Sequence, residues 1–139
     1  MIVLDTNVIS ELERPSSDEA VRNWYSKQLG GELYLTATTV AELAFGAQRI
    51  VLRNNSLRYQ KALEALLEDT FKNRILEFNT PEAIENGRIR SVREAAGRPI
   101  ALNDAQIAAI CLVHGATLAT RNVRDFDGLG LKLVNPFEA

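Results

Sequence analysis

The chain has 139 residues, 46% apolar and 24% charged, which excludes a disordered or fibrous polypeptide and suits one ordinary core. Sixteen basic against 18 acidic side chains give a net charge of −2. Binding a polyanion by bulk charge is therefore disfavoured, whereas a nucleic-acid enzyme that meets phosphate through a metal remains open. The lone cysteine, Cys111, excludes an internal disulfide and a cysteine zinc cluster, and the lone histidine, His114, excludes His-rich metal sites.

In chain order, Ile2-Val3-Leu4 reads as a buried strand that ends at Asp5. Three apolar residues before an acid do not make a signal peptide, and no apolar run approaches the ~20 residues of a membrane helix. The expected compartment is the cytoplasm, with no membrane partner. Val8, Ile9 and Leu12 follow at helical spacing until Pro15. Ser17 reads as the cap of a second helix, with Asp18 and Glu19 in its first turn. Val21, Trp24 and Tyr25 form its apolar face, and Gly30-Gly31 ends it.

Leu33–Thr36 is the second strand. Thr39 opens a helix carrying Val40, Leu43, Ala44, Ala47, Ile50 and Val51, broken at Asn54-Asn55. Another helix is marked by Leu57, Ala62, Leu63, Leu66, Leu67 and Phe71. Ile75–Phe78 is the third strand, and Thr80-Pro81 caps and opens a helix that runs to about Ala96. Ala105 to Val113 is a strongly apolar helix closed by Gly115. Ala116–Thr120 is a fourth strand and Leu131–Val134 a fifth candidate. Strands separated by helices predict an α/β fold with a central parallel sheet of four to five strands and helices on both faces. The whole of 1–139 is expected to form a single domain.

Ligands of an open parallel sheet bind beyond the carboxyl ends of its strands. Four acids fall near such ends: Asp5 after the first strand, Glu42 after the second, Asp104 at the start of the apolar helix, and Asp125 after the fourth strand. Carboxylates gathered from distant segments repel unless a cation lies among them, and oxygen-rich sites suit Mg²⁺ or Mn²⁺. Three of the four also have structural readings. Glu42 completes a Thr39-x-x-Glu42 capping box. Asp104 can favour a helix N-terminus through its charge, and Asp125 can be a solvated turn residue. Asp5 is hardest to explain structurally, because a carboxylate directly after a buried strand is costly unless paired or metal-bound.

The segments Met1–Glu11 (with Leu4-Asp5-Thr6-Asn7), Thr39–Leu43 with Gly46, Asn103–Ala109, Leu118–Phe126 and Val134–Phe137 together resemble the PIN-domain toxins of the VapC/FitB type. The resemblance covers essentially the whole chain, in order and at compatible spacing. It implies a three-layer PIN fold and a Mg²⁺- or Mn²⁺-dependent endoribonuclease. It also implies a toxin of a type II toxin–antitoxin pair, acting as a homodimer on RNA and restrained by a cognate antitoxin. Asp5, Glu42 and Asp104 match the family's metal-holding acids. For the fourth ligand some relatives place the acid where Asn122 stands and others where Asp125 stands. This chain follows the second pattern, with Asn122 as a polar helper. Thr6 and Thr120 match hydroxyl positions near the pocket, and an ordinary strand-end hydroxyl bonded to backbone remains open for Thr6.

The chemistry stands apart from the name. Phosphodiester hydrolysis needs an activated water and relief of charge on the leaving oxygen, both of which a divalent cation supplies without His or Cys. Two other functions remain open: an aspartate-nucleophile phosphotransferase using Asp5, weakened by Asn7 where a second acid is wanted, and a non-catalytic PIN-like binding module. For the remaining residues the structural reading comes first. His114 sits at a helix C-terminus, Cys111 packs, and Trp24 is core or interface. Arg88, Arg90, Arg93 and Arg98 form either a phosphate track or a solvated face paired with Glu82, Glu85 and Glu94. If an antitoxin binds, an arginine or lysine of that partner is expected to enter the acidic pocket, since a guanidinium meets carboxylates with charge-assisted bonds.

Overall fold

Each short strand alternates side chains between two faces, and both faces are apolar, as a buried parallel sheet requires. The computed structural model, which describes residues 1–139, contains five strands: β1 (Ile2–Leu4), β2 (Leu33–Thr36), β3 (Ile75–Leu76), β4 (Thr117–Ala119) and β5 (Lys132–Val134). All pairings are parallel, in the order β3-β2-β1-β4-β5. The expected four to five strands are thus five. The central strand is β1, with Val3 opposite Tyr34 and Leu118 and Leu4 opposite Ala119.

Six helices cover the sheet: α1 (Thr6–Leu12), α2 (Glu19–Ser26), α3 (Ala37–Asn54), α4 (Arg58–Ala65), α5 (Thr80–Ala95) and α6 (Leu102–His114). Val3 and Leu118 pack with Ile89 of α5, Ile107, Ala108 and Cys111 of α6, and Phe126. Leu4, Leu33 and Leu35 pack on the opposite face with Val8 and Ile9 of α1, Val21 of α2 and Phe71. This is the expected three-layer arrangement. Each fully buried large side chain contributes about 1.5–3 kcal/mol, so β1 is anchored from both layers. That leaves the residue after it, Asp5, in a fixed place.

Several helix starts differ from the sequence reading. In α2 the cap is Asp18, whose carboxylate accepts from the Ala20 and Val21 N–H groups at 2.8 and 3.4 Å, not Ser17. Helix α3 starts two residues before Thr39, because Thr36 at the end of β2 already caps it. Thr80 is the first residue of α5 rather than its cap, and α4 continues into one wider turn over Leu66–Thr70. Strand β3 stops at Leu76, short of Phe78. Gly115 ends α6 at φ +64°, a left-handed conformation that a Cβ disfavours. No helix is long and apolar enough to cross a membrane.

Candidate active site

The carboxyl ends of β1 and β4 lie side by side, so Asp5 and Thr120, 115 positions apart in sequence, meet there. Asp5 is only 5% exposed. One carboxylate oxygen accepts from the Thr6 backbone N–H at 2.8 Å. The other accepts from the Thr120 hydroxyl at 2.7 Å and the Asn7 side-chain amide at 3.2 Å. Burial nevertheless raises the Asp5 pKa; the hydrogen bonds from Thr120, Thr6 and Asn7 oppose it, and the nearby negative charge of Asp125 adds to it.

The capping-box reading of Glu42 is overturned. Thr36 Oγ1 accepts from the Thr39 N–H at 3.0 Å, so the cap of α3 is Thr36 and Thr39 is already inside the helix. Glu42 lies in the second turn, and its carboxylate crosses to α1, where it accepts from the Thr6 hydroxyl at 2.9 Å. The Thr39 hydroxyl lies 3.0 Å from the same Thr6 oxygen. Thr6 has one hydroxyl proton and the ionised carboxylate only accepts, so Thr39 donates to Thr6 and Thr6 to Glu42. The strand-end bond to backbone considered for Thr6 is replaced by this pair.

Asp104 sits in the first turn of α6, where Ala101 holds the cap position and no side chain caps the helix. Half-buried, its carboxyl is pushed up to about 6, by burial first and then by the charges of Asp5, Asp125 and Glu42. The other three acids therefore all bear on Asp104. Asp125 lies on a single 3₁₀ turn, Val123–Phe126, and it lines a cleft of about 290 Å³ with Asp104. Asn122 is placed differently: its backbone N–H donates to Thr120 Oγ1 at 3.0 Å.

Residues that sequence reasoning passed over hold this arrangement. Asn7, considered only as a missing acid, bridges Asp5 and the β4 loop, because its carbonyl oxygen accepts from the Arg121 N–H at 3.2 Å. This use of Asn7 leaves no proton donor where an aspartate-nucleophile phosphotransferase needs one. The Thr38 hydroxyl donates to Gln106 at 2.9 Å, tying the start of α3, which carries Glu42, to α6, which carries Asp104. Arg93 is buried, and its guanidinium donates to the carbonyls of Asp125 and Asp127 at 2.8 and 2.9 Å, fixing the turn that carries Asp125. A short polar residue two positions from an acid was the available signal for Asn7, while Thr38, four residues before Glu42, carried none.

The basic cluster divides. Arg88 pairs with Glu85, Arg93 is structural, and Arg98 lines the cleft beside Asp104 and Asp125. His114 is exposed at the end of α6, Cys111 is buried with its thiol pKa pushed up by burial, and Trp24 packs against the α1–α2 core. A separate apolar groove of about 350 Å³ runs between α1, α3 and α4, lined by Leu43, Ala47, Ile50 and Leu63.

The donor set suits a hard divalent cation in chemistry, being four carboxylates with hydroxyls and no soft ligand. No three acidic, histidine or cysteine side chains are grouped so as to hold one ion, and Mg²⁺ does not need three: it keeps several waters and takes one or two protein carboxylates.

Comparison with known proteins gives the family. The PIN domain family model matches residues 2–130. The chain is 37% identical to VapC ribonuclease Y4jK of Sinorhizobium fredii over 138 residues, 99% of each chain. It is also 37% identical to Toxin FitB of Neisseria gonorrhoeae over 137 residues, again 99% of each. The crystal structure of FitAcB from Neisseria gonorrhoeae superposes with a TM-score of 0.88 at 37% identity, covering 100% of both chains. By the match over residues 2–130 and by these relatives, the chain belongs to the PIN-domain family, among its VapC and FitB members.

Proposed function

We propose that this protein is a metal-dependent endoribonuclease and the toxin of a type II toxin–antitoxin pair, with 1–139 forming one PIN domain that acts in the cytoplasm. The observation that carries the reading is that the charges of Asp5, Glu42 and Asp125, carried by three separate segments, all reach Asp104 on a fourth. These four would hold Mg²⁺ or Mn²⁺. When bound, such a cation supplies an activated water and polarises the phosphoryl oxygen. The chain's own part is orientation. Thr120, Asn7 and the Thr6 N–H fix the Asp5 carboxylate, while Thr6 and Thr39 fix Glu42. Arg93 holds the turn of Asp125. Relatives named as a ribonuclease and a toxin support the substrate class and the biological role.

The test is purified protein with mixed RNAs, in Mg²⁺ or Mn²⁺ against EDTA, beside Asp5→Asn. Internal cleavage only with metal, lost in Asp5→Asn, is expected. Undiminished cleavage in EDTA or in the variant overturns the reading, and absence of turnover by the folded protein leaves a binding module. For Asp5→Asn we expect stability within about 1 kcal/mol of wild type, since lost repulsion and a lost acceptor offset each other.

A nuclease of this kind needs restraint. We assign that role to an antitoxin helix lying in the groove between α1, α3 and α4, with an arginine or lysine reaching the Asp5–Glu42–Asp104 pocket, and we take the assembly to be a homodimer. Replacing each basic residue of the partner's binding segment tests this. Unchanged inhibition throughout leaves simple occlusion.

A further inference from the structure

The cleft that holds Asp104 and Asp125 has a second wall of opposite charge. Arg98, on the connector between α5 and α6, and Arg124, on the turn beside Asp125, line it together with Pro99 and Ile100. Both arginines are exposed. The ion pairs of the chain are Met1 with Glu32, Arg14 with Glu11 and Arg88 with Glu85, so neither Arg98 nor Arg124 is spent on a carboxylate, although two carboxylates share their cleft. The third guanidinium of the cleft, Arg93, is committed to carbonyls of the turn. Arg98 Nη2 donates to the Arg124 carbonyl at 3.4 Å, which sets the two basic residues next to each other.

We infer that Arg98 and Arg124 form a phosphate-binding pair that holds an RNA strand beside the acidic site, engaging a phosphate that neighbours the one being cut. The inference rests on the ribonuclease reading above and extends it to how a net-negative protein takes up a polyanion. Four carboxylates repel every phosphate except one neutralised by a cation. Charges beyond the ~8–10 Å Debye length at physiological salt are screened, so the local pair, not the net −2, governs the approach of the strand. A guanidinium fork matches phosphate oxygens in two-point contact, and arginine keeps its charge at any working pH. The carboxylates and arginines face one cleft without pairing, so the acids stay available to metal and the arginines to phosphate.

The experiment measures binding of a fluorescein-labelled single-stranded oligoribonucleotide by anisotropy across a salt series. It uses the full chain carrying Asp5→Asn, in Mg²⁺, with Arg98→Ala, Arg124→Ala and both together. Each lost phosphate contact should lower the slope of log K against log salt by about 0.7. Arg98→Lys with Arg124→Lys should keep most of the slope, and Arg53→Ala, in the last turn of α3, should keep all of it. In protein with Asp5 intact, the double alanine variant should raise KM more than it lowers kcat. Unchanged slope and KM, or a fall in kcat that follows the thermal midpoint without a change in slope, overturns the inference. Should the double alanine variant fail to fold, the lysine pair and Arg124→Gln decide by the same slope. Failure of the wild-type chain to cut RNA sinks the ribonuclease reading alone, because the salt slope is measured without turnover.

Discussion

The Thr6 hydroxyl donates to the Glu42 carboxylate at 2.9 Å, joining α1 to α3 across 36 sequence positions. This contact assigns Glu42 to the pocket and removes it from the cap of its own helix. Glu42→Gln keeps an acceptor for Thr6 and should change stability by less than about 0.5 kcal/mol, as for a site away from caps and core. Cleavage and Mn²⁺ affinity should fall sharply, because a neutral amide is a poor ligand for a hard cation. Thr6→Val, which keeps the shape and removes the hydroxyl, should cost about 1 kcal/mol and lose less activity than Glu42→Gln. Denaturant midpoints with Mn²⁺ titration check both. Normal titration by Glu42→Gln would remove it from the site.

The raised Asp104 pKa has a definite sign for stability. In metal-free protein the folded state holds the Asp104 proton up to about pH 6, whereas an ordinary aspartate releases it near 3.8. The folded state therefore binds more protons between those values, and stability falls as pH rises through that window. Above it the penalty is complete, and below about pH 3 it is absent. Asp104→Asn should be more stable than wild type at pH 7.5 by about 1–2 kcal/mol, after allowance for solvent screening of a half-buried group, and no more stable at pH 3. Urea midpoints across pH in EDTA give the curve. A variant advantage that does not shrink on acidification contradicts it.

Asp125 and Asn122 are separated by their places on the turn. Asp125 shares the cleft with Asp104 and raises the pKa of both Asp5 and Asp104, while Asn122 reaches Thr120 through its backbone N–H, a bond that any residue but proline keeps. Asp125→Asn should slow cleavage at least tenfold, about 1.4 kcal/mol in the barrier, and Asn122→Ala should slow it less. Equal or reversed losses in initial rates would overturn the assignment.

Arg93 is a buried cation bound to two carbonyls rather than to an acid. Arg93→Ala removes both bonds and should cost about 2–3 kcal/mol, with weaker Mn²⁺ binding because the Asp125 turn loosens. Arg93→Lys should recover part of the stability, since an ammonium lacks the planar fork. A thermal scan with and without Mn²⁺ distinguishes this from an ordinary surface arginine, which either change would leave within about 0.5 kcal/mol.

The layers and the four acids were legible in the sequence because both follow from short-range signals. Apolar runs such as Ile2–Leu4 and Ile107–Val113 mark buried elements, and parallel topology sends strand ends to one edge. Caps were less legible. Ser17-Asp18 and Thr36 with Thr38-Thr39 each offer neighbouring residues able to cap, and the choice depends on where the preceding strand or turn releases the chain. The partners of the acids were least legible: Asn7 with Arg121, Thr38 with Gln106 and Arg93 with Asp125 are contacts between distant segments whose single residues have ordinary surface chemistry. Periodicity carries no information about them.

The central place of β1 in the sheet has a consequence for how the protein is made. β1 leaves the ribosome well before one of its two neighbours, β4, which begins at Thr117. Until then Asp5 has neither the Thr120 hydroxyl nor the company of Asp104 and Asp125. At about 5–20 residues per second, the span from β1 to β4 takes about 6–20 seconds, during which the pocket is not assembled. The ribosome making this protein is thus separated in time from the activity proposed for it, and that interval is available for a partner to engage the α1, α3 and α4 surface before the sheet closes.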